Sequence, residues 1–176
     1  LTSDAAKTIV NWWKEMSDKG YYAYSGKLEP IRQFTAYLGH PQNEFKSLHV
    51  AGTNGKGSVA AALSAILFES GYRVGLYTSP HLVRFNERIC INNRQISNDE
   101  VVQSYKAVKR VHYGDRSPTF FEFATAMALY TFSRQSVDWA VIETGMGGRY
   151  DATNIIQPAV AIITNVSMEH RDYLGS

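Results

Sequence analysis

The segment that most constrains this chain is the glycine-rich run Gly-Thr-Asn-Gly-Lys-Gly-Ser at residues 52–58. An apolar run at residues 47–51 precedes it and predicts a buried strand, and a strongly apolar run at residues 59–69 follows it and predicts a helix. Residues 73–78 predict the next strand. Strand, glycine loop, helix and strand in this order predict a βαβ unit with a right-handed crossover.

The rest of the 176-residue sequence continues the alternation of strands and helices. Buried strands are predicted at residues 137–144 and 159–164, and a short hairpin at residues 87–96 turns at Asn92-Asn93. The predicted helices cover residues 4–19, 30–38, 97–112 and 119–133. This pattern predicts an α/β fold with a mostly parallel sheet flanked by helices on both faces, in one domain with a real core.

Composition excludes several classes of protein. The net charge of +2 is too small to indicate a nucleic-acid or anionic-membrane partner. No window approaches 18 uninterrupted apolar residues, and the first residues do not form a secretory leader. Cys90 is the single cysteine, which excludes an intrachain disulfide and a cysteine-based metal site. These points favour a cytoplasmic protein.

The chemistry of the glycine loop predicts a bound phosphate, specifically ATP with Mg²⁺. Its glycines let backbone N–H groups turn inward at a helix N-terminus, and Lys56 can reach the β- and γ-phosphates. A glycine turn without phosphate is the alternative, but the flanking strand and helix argue against it. The loop has fewer residues between its glycines than the common P-loop, and Gly57 stands where a Ser or Thr usually binds the metal, with Ser58 one position late.

Ser79 and Glu143 are the candidate magnesium ligands that follow from the predicted sheet. Both come at the ends of strands, at the edge where ligands bind in open α/β sheets. Oxygen atoms are the ligands that Mg²⁺ prefers. The alternatives are a turn-forming Ser79 before Pro80 and a surface Glu143. His170 also follows a predicted strand, but spacing alone assigns it no role, because a lone histidine is usually structural or solvated.

Four ordered motifs across the chain closely resemble those of the folylpolyglutamate synthases, which belong to the Mur ligase superfamily. The motifs are residues 49–58 (HVAGTNGKGS), residues 77–89 (YTSPHLVRFNERI), residues 143–154 (ETGMGGRYDATN), and Thr164-Asn165 with Glu169-His170 and residues 173–175 (YLG). Gly57 and the Ser-Pro-His-Leu sequence favour the folate branch over the cell-wall ligases.

This resemblance implies roles for particular residues. Lys56, Glu143 and His170 would be catalytic, and Ser79, Glu143 and His170 would be magnesium ligands. The residues that would hold the ATP triphosphate are Asn54, Gly55, Lys56, Gly57 and Ser58. Those that would contact the pterin substrate are Gly26, Lys27, Leu28, Glu29, Thr119, Phe120, Phe121, Glu122, Tyr150, Asp151 and Ala152. Phe120 and Phe121 could stack on a flat ring, although aromatic residues in an apolar helix more often belong to the core.

The resemblance also implies the reaction and the extent of the protein. ATP would phosphorylate a carboxylate of a folate or of dihydropteroate, and the amine of glutamate would attack the acyl phosphate. Residues 1–176 would form an incomplete ATP-binding domain without the C-terminal ligase domain, so we expect this chain to be inactive alone and the full-length protein to be a monomer. A related amide ligase with another substrate and a non-catalytic nucleotide-binding module remain the alternatives.

Overall fold

The computed structural model describes residue 7, residues 11–12, residues 26–111 and residues 118–168. Most of the helix predicted at residues 4–19 lies outside the described residues. Residues 7, 11 and 12 are helical, and Trp12 is buried. His170 and the rest of the fourth motif beyond residue 168 also lie outside the described residues.

Six strands form one mixed sheet in the described part of the chain. They are β1 (Lys46–Ala51), β2 (Val74–Tyr77), β3 (Ile89–Ile91), β4 (Arg94–Gln95), β5 (Trp139–Glu143) and β6 (Val160–Ile163), in the order β4-β3-β2-β5-β1-β6. Neighbours among β2, β5, β1 and β6 are parallel, whereas β3 and β4 are antiparallel. The predicted mostly parallel sheet and hairpin are therefore confirmed, and β5 lies between β1 and β2.

Four helices longer than one turn accompany the sheet in the described residues: α1 (Glu29–Tyr37), α2 (Lys56–Glu69), α3 (Asn98–Lys109) and α4 (Phe120–Arg134). Ser97 and Thr119 each cap the following helix, and Glu100 and Glu122 complete the two capping boxes. Single 3₁₀ turns lie at Pro41–Asn43, Phe85–Arg88 and Ala152–Ile155.

Apolar side chains pack on both faces of the sheet. The larger cluster contains Ile142 of β5 and residues of α1, α3 and α4. The smaller cluster contains the neighbouring Val141 and residues of β1, β2 and α2. Successive side chains of a strand point to opposite faces of the sheet, and Val141 and Ile142 belong to different clusters. Helix α2 therefore covers one face, and the other three helices cover the opposite face.

Two predicted elements differ from those observed. The strand predicted as buried at residues 159–164 is an exposed edge strand, in which Val160 is 51% exposed and Ile163 is 69% exposed. It pairs on one side with β1, so no described strand covers its outer edge. Helix α2 begins at Lys56, three residues earlier than the apolar run indicated, because apolar periodicity does not mark a glycine-rich first turn.

This topology brings the segments after β1, β2, β5 and β6 to the same edge of the sheet. These segments contain the glycine loop, Ser79 and Asn165, and Glu143 is the last residue of β5. Among the described residues, no helix is both long and apolar enough to cross a bilayer.

Candidate active site

A cavity of about 200 Å³ lies at the carboxyl edge of the parallel strands. Its wall includes Gly52, Thr53, Lys56, Gly145, Met146 and Asn165. A larger open groove of about 590 Å³ lies near Lys46 and Trp139, at the amino ends of β1 and β5. We assign the chemistry to the smaller cavity because ligands of open α/β sheets bind at the carboxyl edge, where this chain also places its glycine loops.

The start of α2 presents a run of unpaired backbone donors. Gly55 caps the helix with φ 79°, and the first helical hydrogen bond runs from the Val59 N–H to the Gly55 carbonyl. Within the described residues, no group accepts a hydrogen bond from the backbone N–H groups of residues 55–58. Four successive free donors at the positive end of a 14-residue helix form an anion-binding concavity.

Lys56 holds its charge inside this loop. Its Nζ donates to the Gly52 carbonyl oxygen at 2.8 Å and to the Thr53 carbonyl oxygen at 3.0 Å. The same ammonium group lies close enough to Glu143 to lower the pKa of that carboxyl. Lys56 therefore supplies a positive charge between the glycine loop and the end of β5.

Asn165 clamps the glycine loop from the neighbouring strand end, a role that the sequence motif did not reveal. Its Oδ1 accepts the Asn54 N–H at 3.0 Å, and its Nδ2 donates to the Asn54 carbonyl oxygen at 3.1 Å. The Thr164 hydroxyl donates to the same carbonyl oxygen at 2.7 Å. The Thr53 N–H donates to the Asn165 carbonyl oxygen at 2.9 Å. These contacts set the direction of the chain immediately before the free N–H groups.

We expect Asn165→Ala to weaken nucleotide binding by about tenfold, because two hydrogen bonds that order the loop are lost and the loop must then be ordered on binding. Isothermal titration with ADP measures the affinity. The matched control is Asn43→Ala, which removes an exposed amide from the opposite edge of the sheet. Equal affinities for the two variants would show that the clamp does not order the loop.

The structure brings Ser79 and Glu143 together, as the sequence predicted. The Ser79 N–H donates to Glu143 Oε2 at 2.8 Å, and the Glu143 side chain is buried at 4% exposure. Burial raises the pKa of Glu143, while the Ser79 N–H and the charges of Lys56 and Arg88 lower it. No described group hydrogen-bonds to Glu143 Oε1 or to the Ser79 hydroxyl, so both oxygens are available to a ligand.

These oxygen atoms suit a hard cation, but the two side chains alone do not form a complete metal-binding site. Within the described ranges there is no cluster of three His, Cys, Asp or Glu side chains able to hold a metal ion. His170, the third predicted ligand, lies outside those ranges. A Cβ on Gly57 would lie 3.6 Å from both carboxylate oxygens of Glu143, so the residue after Lys56 adjoins the candidate metal ligand. That contact is an ordinary one, and steric space alone does not explain the glycine.

Arg88 is a buried cation beside this edge to which sequence reasoning gave no role. It is 7% exposed, its Nε donates to His81 Nδ1 at 2.7 Å, and its guanidinium lies 5.1 Å from the centre of the Phe120 ring. Burial raises the pKa of Tyr77 to about 12 and raises that of Glu143, and the charge of Arg88 opposes both shifts. The second motif contained this residue, but only the fold shows that it lies near the carboxylate.

The three segments predicted to contact the pterin belong to elements that pack against each other. Helix α1, helix α4 and the turn Ala152–Ile155 are in mutual contact. Leu28 and Phe121 are half-buried against the same apolar cluster that contains Phe120 and Ala152. Gly26, Lys27 and Glu29 are at least partly exposed, and Tyr150 is 48% exposed. The segments are therefore neighbours, and their contact with a pterin stays a prediction.

The two candidate stacking residues have different surroundings. Phe120 is 3% exposed, and its ring contacts Trp12, Phe85 and the Arg88 guanidinium, so the core alternative holds for this residue. Phe121 is half-buried and packs against Gly145, where a Cβ would lie 2.5 Å from the ring. Thr119 and Glu122 use their side chains in the cap of α4. Phe121 therefore remains the aromatic candidate.

Asp151 is buried, and its carboxylate is saturated by protein donors. Oδ2 accepts the N–H groups of Gly145 and Met146 at 2.9 and 2.8 Å, and Oδ1 accepts the N–H and hydroxyl of Thr153 at 3.0 and 2.5 Å. Burial raises the pKa of Asp151, and these hydrogen bonds lower it. The arrangement indicates that Asp151 orders the second glycine loop, and its contact with a pterin stays a prediction.

His49 also has a partner that the sequence did not reveal. It is 7% exposed, and its Nε2 lies 2.7 Å from the Thr153 hydroxyl, 104 residues further along the chain. Burial lowers the pKa of His49 from 6.5 to about 4. The histidine is therefore neutral in the folded protein at physiological pH.

This shift makes stability depend on pH in a defined direction. Below pH 6.5 the unfolded chain protonates His49, whereas the folded protein keeps it neutral down to about pH 4. The free energy of unfolding is not reduced by His49 above pH 6.5. As pH falls to about 4, we expect protonation of His49 in the unfolded chain to lower the free energy of unfolding by about 3 kcal/mol. Urea unfolding of the wild type and His49→Gln at several pH values measures it. The wild type should lose more stability on acidification, and parallel pH profiles would contradict the assignment.

Comparison with known proteins agrees with this geometry. The family model for the Mur ligase middle domain matches residues 50–176. The chain is 42% identical over 154 residues to the dihydrofolate synthase/folylpolyglutamate synthase of Bacillus subtilis, covering 83% of this chain and 35% of that relative. It is 36% identical over 174 residues to the Escherichia coli protein of the same name, covering 99% of this chain and 41% of that relative.

A solved structure of E. coli FolC in complex with DHPP and ADP superposes with a TM-score of 0.81 at 38% identity, covering 85% of this chain and 36% of that one. The present chain thus spans well under half the length of these relatives. The match to the family model covers most of the 176 residues and includes the loops that follow β1, β2, β5 and β6. The chain belongs to the Mur ligase family and carries its middle domain.

Proposed function

We propose that the full-length protein is an ATP-dependent ligase that adds L-glutamate to folates, extending tetrahydrofolate to its polyglutamates, and to 7,8-dihydropteroate to give dihydrofolate. One observation carries the proposal. Four free backbone N–H groups at residues 55–58 lie beside the side-chain ammonium of Lys56 and the Ser79–Glu143 pair. The relatives named dihydrofolate synthase/folylpolyglutamate synthase, and the related structure with DHPP and ADP, support this choice of substrates.

The proposed reaction has two steps. A carboxylate oxygen of the acceptor attacks the γ-phosphorus of ATP, the bond to the bridging oxygen breaks, and ADP leaves. The amine of glutamate then attacks the acyl carbon, and inorganic phosphate leaves as the amide forms and the nitrogen loses a proton. Neither step requires a side-chain nucleophile, so the protein contributes positioning and charge stabilisation.

The residues of this chain divide that work between them. The free N–H groups of residues 55–58 would hold the phosphates, and Lys56 would offset the negative charge that gathers when a carboxylate approaches the γ-phosphate. Glu143 and the Ser79 hydroxyl would hold Mg²⁺, with His170 as a further ligand. When bound, Mg²⁺ neutralises phosphate charge. The two unbonded oxygens, Glu143 Oε1 and the Ser79 hydroxyl, fit a cation of this kind.

The acceptor would bind beside the second glycine loop. Phe121 lies against Gly145, two residues after Glu143, so an aromatic ring of the substrate near Phe121 would point its carboxylate toward the phosphate loop. Because the reaction uses ATP and glutamate, we place the protein in the cytoplasm, and we propose that it is a monomer. This chain alone is proposed to lack ligase activity.

Glutamate-dependent release of phosphate from ATP tests the proposal in the full-length protein. Tetrahydrofolate, dihydropteroate and a muramyl peptide serve as alternative acceptors. Release with both pterins establishes the dual ligase, and release with tetrahydrofolate alone restricts it to polyglutamate synthesis. Release only with the muramyl peptide would identify a cell-wall ligase. Nucleotide binding without release from any acceptor would identify a non-catalytic module.

A further inference from the structure

A chain of hydrogen bonds crosses the buried region between β1 and the second glycine loop. It begins at His49 Nε2, passes through the Thr153 hydroxyl at 2.7 Å, and reaches Asp151 Oδ1 after a further 2.5 Å. From Asp151 Oδ2 it continues to the N–H groups of Gly145 and Met146. His49, Thr153 and Asp151 are all buried, at 7%, 0% and 3% exposure.

The chemistry of the groups determines which one donates in each of these hydrogen bonds. An ionised carboxylate can only accept, and all four contacts to Asp151 come from N–H or O–H groups. The Thr153 hydroxyl therefore donates to Asp151, and its oxygen accepts from His49. This order requires a neutral His49 with its proton on Nε2. Burial favours the neutral form of the ring.

The chain of hydrogen bonds ends at Gly145 and Met146, which form part of a wall of the candidate active site. Gly145, Met146 and Gly147 line the same cavity as Gly52 and Lys56. The ring of Phe121 also packs closely against Gly145. The free N–H groups of residues 55–58 have a separate anchor, because the loop before them is fixed by Asn165.

We propose that His49 is a positioning residue that acts through Thr153 and Asp151 to fix the backbone of residues 145–147 against the phosphate loop. The proposal rests on the ligase function proposed above and assigns this wall to alignment of the acceptor carboxylate with the γ-phosphate. Because the phosphate loop has its own anchor, loosening the wall lowers kcat and leaves the KM for ATP nearly unchanged.

Matched pairs of variants test this role in the full-length protein. Thr153→Val removes the hydroxyl at almost constant volume, and Thr153→Ser keeps it. His49→Leu removes the donor, and His49→Gln keeps an amide N–H near the position of Nε2. We expect Thr153→Val and His49→Leu to lower kcat by about 10- to 100-fold, with the KM for ATP within about twofold of wild type. The Ser and Gln variants should recover most of kcat.

Hydrogen exchange supplies a second readout that does not depend on activity. The amides of Gly145 and Met146 should exchange at least about tenfold faster in Thr153→Val than in the wild type and Thr153→Ser, while the amides of β1 stay protected. Unchanged exchange and unchanged kcat in Thr153→Val would overturn the proposal. So would an equal loss of kcat in the Ser variant, or a rise in the KM for ATP without a fall in kcat.

The two readouts separate this proposal from the proposed function. If the wild type releases no phosphate with any acceptor, the ligase function fails. Exchange at Gly145 and Met146 then still decides whether His49 and Thr153 fix the wall. If the wild type is an active ligase and exchange is unchanged in all four variants, only the positioning role fails.

Discussion

Replacing Lys56 with alanine is expected to lower the kcat of the full-length protein by about 10³-fold while leaving the fold intact. The side chain is the charge that lies between the glycine loop and Glu143, where the acceptor carboxylate and the γ-phosphate would meet. Lys56 is only half-buried, so the loss of its side chain should cost little packing. Single-turnover phosphate release, with acceptor and glutamate present, measures the effect on the chemical step.

Lys46→Ala is the matched control for this variant. Lys46 is the first residue of β1, at the opposite end of the strand from the glycine loop, and its Nζ lies 5.4 Å from the centre of the Trp139 ring. We expect its kcat to stay within about twofold of wild type. A Lys56→Ala enzyme with nearly normal single-turnover rates would remove Lys56 from the chemistry.

Gly52→Ala is expected to abolish nucleotide binding and to lower the free energy of unfolding by about 3 kcal/mol or more. Gly52 has φ 132°, a conformation that L side chains rarely adopt. A Cβ at this position would also overlap the Thr164 hydroxyl and lie 2.9 Å from the Asn165 carbonyl oxygen. The alanine must therefore displace the clamp that orders the phosphate loop.

The control for this prediction is Gly71→Ala, which separates backbone strain from steric overlap. Gly71 has φ 88°, but no atom lies within 4 Å of its added Cβ. We expect it to cost about 1 kcal/mol and to leave ADP affinity unchanged. Urea unfolding and titration with ADP measure both variants. If the two variants had the same free energy of unfolding and the same ADP affinity, close packing against Thr164 would not determine the conformation of the glycine loop.

Local sequence patterns were sufficient to predict most of the fold. The helix starts predicted near residues 97 and 119 agree with the capping boxes observed at Ser97 and Thr119, whose paired residues lie only three positions apart. The meeting of Ser79 and Glu143 followed from the rule that parallel strands share a carboxyl edge, and the structure confirms it at 2.8 Å. These features depend on short spacings or on topology that periodicity already indicates.

Features that depend on distant contacts could not be predicted in the same way. Thr153, the partner of His49, lies 104 residues further along the chain, so no local pattern could indicate their contact. The exposure of β6 depends on its place at the edge of the sheet, and an apolar run alone does not give strand order. Phe120 and Phe121 are adjacent in sequence, and only the packing of α4 shows that the first belongs to the core.

Transfer of ¹⁸O from the acceptor to phosphate tests the central claim most directly, namely that this edge of the sheet activates a carboxylate with ATP. The full-length protein is supplied with ATP, glutamate and dihydropteroate labelled in its carboxylate, and the released phosphate is analysed by mass spectrometry. An acyl phosphate leaves one of the acceptor's oxygens on phosphate, so we expect labelled phosphate in step with amide formation. Amide product accompanied by unlabelled phosphate would contradict this mechanism.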